Sequence, residues 1–375
     1  MTFEAARALF PVLQRIAYLN AGTFGPLARP VADALVEAVE HDAEHGRSGL
    51  PYFEQTIALR DEARQAFASL VDADPAQVAL TSSTTEGCAI VVRGLGLEPG
   101  DEVVTTTDEH FGLLGPLGAS PATVVVVEPD PDAIRAAVTS RTRLIASSPV
   151  LWTTGAVLPL AELGTETGVP VLADGAQAVG AIPTRADGFD FLTISGQKWL
   201  CGPDATGALV VRDPERITVT SPSYFAQTGH DPDGAYEPQA GARRLEPGWW
   251  SRGTLGAMLA ALALRPAWGF ERAWEAAERC RELLSGRFEV VTPAAWSLET
   301  TSAGSSSGRK LTRVARSAGV TTSTRPDSSS RHRSAAAHAR SKPHAGRRDS
   351  AASIARSVPC DHQPGSSLRA PACGS

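Results

Sequence analysis

Two residues of this 375-residue chain stand where covalent chemistry and its electrostatic support would be placed. Lys198 lies in DFLTISGQKWLCGP and Asp174 in VLADGAQAVG, each just after a short run rich in β-branched and apolar residues, Phe189 to Ile194 and Val169 to Ala173. Such runs read as strands, so the amine and the carboxylate fall at the mouths of two strands of one sheet. An amine there can form a Schiff base with a carbonyl compound. A carboxylate beside it can keep a pyridine nitrogen protonated, so that the ring draws electrons. By residue type and spacing alone the same pair also reads as a structural ion pair at a sheet edge, and both readings stand at this point.

A second feature is suited to an anion. After the run Gln77 to Leu80 comes SSTTE and then the helical stretch Gly87 to Leu95. Backbone N–H groups and hydroxyls at a helix N-terminus bind phosphate, and Thr84 and Thr85 are the candidates, with ordinary N-capping as a compatible alternative. His110 follows the strand-like Glu102 to Thr106, in TTTDEH. It reads as a functional imidazole or, more simply, as a cap for its neighbours.

The elements that must position these residues follow from the hydrophobic pattern. From about residue 77 to 211, runs at Gln77 to Leu80, Glu102 to Thr106, Thr123 to Val127, Leu144 to Ser147, Val169 to Ala173, Phe189 to Ile194 and Ala208 to Val211 alternate with helical patterns. This predicts an α/β fold with a mainly parallel seven-stranded sheet, helices on both faces and strands buried on both sides. Helices are expected at Pro30 to His45, Leu255 to Leu264 and Glu271 to Leu284, the last leading to a strand-like Phe288 to Val291 that would open a smaller domain.

The stretches YLNAGTFGPL (18 to 27), LTSSTTEGCAIVVRGL (80 to 95), PGDEVVTTTDEH (99 to 110), LADGAQAVGAIP (172 to 183) and SGQKWLCGPDATGALVV (195 to 211) together resemble the class V aminotransferases. These are enzymes of fold type I that depend on pyridoxal 5'-phosphate (PLP) and include cysteine desulfurases and isopenicillin N epimerase-like proteins. The resemblance implies Lys198 as the Schiff-base lysine, Asp174 as the partner of the pyridinium nitrogen, and Gln177 as a hydrogen-bond donor to the phenolic oxygen. It implies His110 as the ring that stacks on the cofactor and assists proton transfer. Thr84, Thr85, Ser195 and Gln197 would reach the phosphate, with Gln197 standing where many relatives have His. Thr254, in SRGTLGAM, would reach the phosphate of a neighbouring subunit, although another alignment puts Trp249 there; a homodimer is implied either way. Where relatives often carry Asn, SSPVLWTTG (147 to 155) offers Trp152. No desulfurase-type cysteine motif is recognisable, and no Arg after residue 300 sits in the context of the family's substrate-carboxylate arginine.

Composition sets the remaining bounds. The 42% apolar content suits a soluble globular protein, MTFEAARALF lacks a secretory h-region, and the longest apolar run, Leu255 to Leu264, is too short to span a bilayer. Five cysteines show neither metal-ligand spacing nor the density of a disulfide scaffold, so a cytoplasmic protein without a metal site is expected. The net charge of −6 divides unevenly: residues 301 to 375 hold 13 Lys and Arg against 3 Asp and Glu, a net +10, leaving −16 on the rest. After Trp296 there is no Phe, Trp or Tyr, and 17 Ser fall within residues 301 to 375. The organisation expected is a PLP-binding large domain over 1–270, the start of a small α/β domain over 271–296, and a basic tail over 297–375 too poor in large apolar residues to fold. That tail is either genuine or an out-of-frame translation replacing the natural small domain; the second fits better, because a half-built domain runs straight into low-complexity sequence. Without aromatic interleaving the charge run reads as solvated, so no nucleic-acid or membrane partner is expected.

The function expected is a PLP enzyme acting on an amino acid or amine by transamination, epimerisation or β-elimination. The alternatives are a chain that binds PLP without turnover and a cysteine desulfurase.

Overall fold

The computed structural model describes residues 2–267 and 269–285. After a short helix α1 (Phe3–Ala8) come two long helices, α2 (Arg29–His45) and α3 (Leu50–Val71), and then the sheet. Its strands are β1 (Val78–Thr81), β2 (Glu102–Thr106), β3 (Thr123–Val127), β4 (Thr142–Ser147), β5 (Val171–Asp174), β6 (Phe191–Ser195) and β7 (Gly207–Val211). They are connected through α4 (Thr84–Gly94), α5 (Phe111–Gly118), α6 (Pro131–Ala137) and α7 (Leu160–Thr167). A two-stranded hairpin, β8 (Gln227–His230) and β9 (Tyr236–Pro238), precedes α8 (Arg252–Leu264) and α9 (Phe270–Ser285).

The strand order is β1-β7-β6-β5-β4-β2-β3, with β7 alone running against the others. The C-terminal ends of β1, β2, β4, β5 and β6 therefore share one edge, where open α/β sheets bind ligands. Five strands, β1, β2, β5, β6 and β7, are wholly buried, with no partly exposed residue. The expectation of burial on both faces fails for β3, an edge strand with exposed Thr123 and Val126; its run of valines meets a sheet neighbour on one side only.

Apolar side chains pack on both faces. Phe67, Val71, Leu255 and Met258 from α3 and α8 lie in one cluster; Cys88, Val91, Leu113 and Leu117 from α4 and α5 lie in the other. Interleaving of this kind is what allows continuous apolar runs to be strands rather than surface. The chain between β9 and α8 is anchored beneath α3 by charge. Glu246 is buried, pairs with Arg60, accepts from Arg64 at 3.1 Å and accepts the Leu80 backbone N–H at 3.2 Å. The small-domain segment beyond α9 (286–296), with the expected strand Phe288 to Val291, and the basic tail 297–375 lie outside the described residues.

Candidate active site

The phosphate-type end of the site is built where β1 meets α4. Ser83 caps the helix by accepting the Glu86 N–H at 3.2 Å, while Glu86 accepts the Ser82 N–H at 2.6 Å. The first-turn amides of Thr84 and Thr85 point out of the helix and have no acceptor within it. The N-terminus of α5 comes close beside them because residue 112 is glycine: a Cβ there would stand 2.6 Å from Thr85 Oγ1 and 3.1 Å from His110 Nδ1. His110 caps α5 with that Nδ1, which accepts the Gly112 N–H at 3.0 Å. In the neutral imidazole this leaves the proton on Nε2.

Asp174 ends β5 and is only 3% exposed. Its Oδ1 accepts the Ala176 N–H at 3.1 Å and sits 3.4 Å from Thr193 Oγ1, whereas Oδ2 has no donor among the described residues. Gln177 donates Nε2–H to the Gly22 carbonyl at 2.9 Å and accepts from Trp199 Nε1 at 2.8 Å, so one of its two N–H groups stays uncommitted. Ser195, at the end of β6, donates to Gln197 Oε1 at 2.9 Å, which leaves the Gln197 amide hydrogens free to donate.

Lys198 follows in a tight turn, closed by Gly196 N–H to Thr206 O at 2.8 Å and Cys201 N–H to Lys198 O at 3.0 Å, with Cys201 at φ +56°. The turn is braced from outside by the N-terminal segment: Gly25 N–H donates to Gln197 O at 2.7 Å, and a Cβ at Gly25 would stand 2.1 Å from Lys198 O. Burial lowers the pKa of Lys198, opposed by the charge of Asp174, so the amine gives up its proton more readily than an exposed lysine. No hydrogen-bond or ion-pair partner engages its Nζ among the described residues. The structural ion-pair reading is thereby corrected: the two groups share one cavity and feel each other's charge but are not bonded.

That cavity, of about 130 Å³, is lined by Thr84, Thr85, His110, Asp174, Gln177, Ser195, Gln197 and Lys198, together with Ser83, Ser148, Trp152 and Ala176. Thr254 does not line it; it is in the first turn of α8, bonded to Ser251. Trp152 stands edge-on to His110, with ring centres 5.6 Å apart, and is 51% exposed. Sequence reasoning passed over Ser83, Ser148 and Glu109. Glu109 is 5% exposed and accepts from Thr106 Oγ1 at 3.0 Å, Ser147 Oγ at 2.5 Å, Ser148 N at 2.9 Å and Ser148 Oγ at 2.6 Å. Burial raises its pKa, against the pull of the Ser147 and Ser148 hydrogen bonds. The signal was present in the sequence as a carboxylate after one strand facing two serines after another, but it needs the pairing of β2 with β4 to be seen.

A doubly wound sheet with an unbonded lysine, a buried carboxylate and a helix N-terminus around one cavity defines a class of carbonyl-cofactor enzymes rather than a structural module. Residues 17–296 match the family model described as aminotransferase class-V, and the chain belongs to that family. It is 30% identical over 276 residues to isopenicillin N epimerase of Streptomyces clavuligerus, covering 65% of this chain and 67% of that protein. It is 31% identical over 224 residues to a probable cysteine desulfurase of Methanothermobacter thermautotrophicus, covering 56% of each. The chain thus spans between about half and two thirds of the length of these curated relatives. Among solved structures it resembles the cystine C–S lyase C-DES bound to its product cysteine persulfide, with a TM-score of 0.66, 28% identity, and 74% of this chain and 79% of that one covered. A C-DES variant with glycine covalently linked to the PLP cofactor gives a TM-score of 0.68 at 27% identity, covering 75% and 79%.

The cofactor of this family is PLP, and the residues present fit it. A phosphate would meet the α4 amides and the hydroxyls of Thr84 and Thr85, an aldehyde would meet an amine of lowered pKa, and a ring N–H would meet the uncommitted Asp174 Oδ2.

Proposed function

We propose that this chain is a PLP-dependent enzyme acting on an amino acid or amine by transamination, epimerisation or elimination. The observation that carries the reading is the cavity shared by the unbonded Lys198 amine and the unbonded Asp174 Oδ2. When bound, PLP would supply an electron sink for bond breaking at the substrate α-carbon. Lys198 Nζ would hold the cofactor, and as a free amine it would be placed to move a proton at the substrate α-carbon; its lowered pKa raises the share of neutral amine available for both tasks. Asp174 would hold the proton on the ring nitrogen. Gln177 would donate to the phenolic oxygen, and His110 would cover a ring face, with Nε2 available to pass a proton. Thr84, Thr85, Ser195 and Gln197 would hold the phosphate, and Thr254 would reach the phosphate of a second copy. Free cysteines at 88, 201 and 280 agree with a cytoplasmic enzyme, and no described helix is long and apolar enough to cross a membrane.

Cysteine desulfurase is the second reading, supported by the names of relatives such as the Methanothermobacter protein. It requires a thiolate nucleophile. Burial pushes the Cys201 thiol up to about 12 and the Cys88 thiol well above its ordinary range, so neither supplies one. The domain organisation proposed is a PLP-binding domain over 1–270, a small α/β domain opening at 271–296, and a basic tail.

Exchange of the substrate α-hydrogen in heavy water tests the function. With PLP and a panel of amino acids and amines, exchange is expected for at least one compound and is expected to vanish in Lys198→Ala. Equal exchange by the variant and the parent would refute the reading.

A further inference from the structure

Glu109 is a buried carboxylate that neither cofactor attachment nor proton transfer uses. The ladder pairing of β2 with β4 runs from Glu102 and Thr142 to Val104 and Ile145; beyond it the two strands end at Thr106 and Ser147 and the chain leaves for separate loops. Glu109 fills the space between them. Its Oε1 accepts from Thr106 and Ser147, the last residues of the two strands, and from the Ser148 backbone, while Oε2 accepts from the Ser148 hydroxyl. Three donors converge on Oε1 and one on Oε2, an arrangement suited to a carboxylate that only accepts, and bonds to an ionised acceptor are the strong ones.

A second link closes the same pair of loops, Thr153 Oγ1 to Asp108 Oδ2 at 2.8 Å. His110 follows directly after Glu109 on one loop, Trp152 lies between Ser148 and Thr153 on the other, and the two rings are in edge-on contact at the cavity wall. His110 is thus held from three sides: by Glu109 before it in the chain, by the Gly112 N–H on Nδ1 after it, and by Trp152 beside it. Two of these supports depend on where the β4 loop sits, and Glu109 sets that position.

We propose that Glu109 is a positioning residue: by tying the ends of β2 and β4 together, it fixes His110 against Trp152 at the wall of the PLP cavity. Its loss leaves the α4 phosphate end, Asp174 and Lys198 in place and frees the His110 ring. The inference rests on reading the cavity as a PLP site. It predicts that Glu109 acts on the cofactor through His110 rather than independently of it, which is a statement about coupling.

The test is a double-mutant cycle on the full chain, with PLP as the probe. Affinity is read from quenching of protein fluorescence, and the visible circular dichroism of the saturated protein reports how the ring is held. Glu109→Gln alone is expected to weaken PLP binding about tenfold and to reduce the dichroic band, as His110→Ala alone does. The double variant is expected to be no weaker than His110→Ala. Additive losses, or a dichroic band unchanged in Glu109→Gln, would overturn the inference. If Glu109→Gln does not fold, Ser147→Ala, which removes one buried donor and keeps the carboxylate, completes the same cycle with a smaller loss in the same direction. Absence of saturable PLP binding by the parent chain would overturn the PLP reading itself, whereas binding with an additive cycle would overturn only the role of Glu109.

Discussion

At Lys198 two effects oppose each other, burial removing the charge and Asp174 favouring it, and burial wins. A lysine whose folded pKa is lowered binds fewer protons folded than unfolded between that lowered value and the ordinary one of 10.5, so unfolding takes up protons there and stability rises with pH across the window. Calorimetry of the apoprotein should therefore show Lys198→Met melting above the parent at neutral pH, with the difference closing as pH approaches the ordinary lysine value. A constant difference would show that the amine is not penalised by burial. Lys198, Asp174, Thr84, Thr85 and His110 were legible from residue type and position after a strand, whereas Gln177, Ser195 and Gln197 came only with the family resemblance. What the sequence left open was whether Lys198 and Asp174 pair, since spacing along the chain carries no distance between strands. Glu109 stayed hidden for the same reason: its partners Ser147 and Ser148 are 38 and 39 residues away.

Elements from opposite ends of the fold hold the lysine turn. The segment through Gly22 and Gly25 lies far from Lys198 in sequence, yet it accepts from Gln177 and donates to Gln197. Gly25→Ala places a methyl group 2.1 Å from the Lys198 carbonyl, which only backbone movement can relieve. The expected cost is about 1–3 kcal/mol of stability with a parallel loss of PLP affinity, measured by urea unfolding and PLP titration. Unchanged affinity would show that the turn is set without this brace. The strands were readable because continuous apolar runs of four to six residues suit a sheet covered on both faces, although the edge strand β3 carries the same kind of run with exposed residues. Helix α3, with 22 residues and the longest described, gave no clear stripe because Arg60 and Arg64 occupy its buried face. Their partner Glu246 lies 186 and 182 residues away, so the polar residues that hide this helix from pattern reading are satisfied only in the folded chain.

For the whole molecule, the position of Thr254 outside the cavity of its own chain accords with the proposed homodimer. Val36 and Val39 on α2 are exposed, Val39 by 67%, as are Leu50 at the start of α3 and Trp249 just ahead of α8, the helix whose first turn carries Thr254. Apolar residues grouped on neighbouring elements suit a contact with a second copy. Light scattering should give twice the chain mass, and Val39→Glu should shift the population towards monomer; a monomeric parent that binds PLP with full affinity would remove the dimer from the account. The central claim, that Lys198 is the residue that holds the cofactor, has a direct test because the chain has only two other lysines, Lys310 and Lys342. Borohydride reduction of the PLP-loaded chain, followed by peptide mass mapping, is predicted to leave one pyridoxyl group on the peptide containing Lys198. A label confined to Lys310 or Lys342, or no label at saturating PLP, would contradict it.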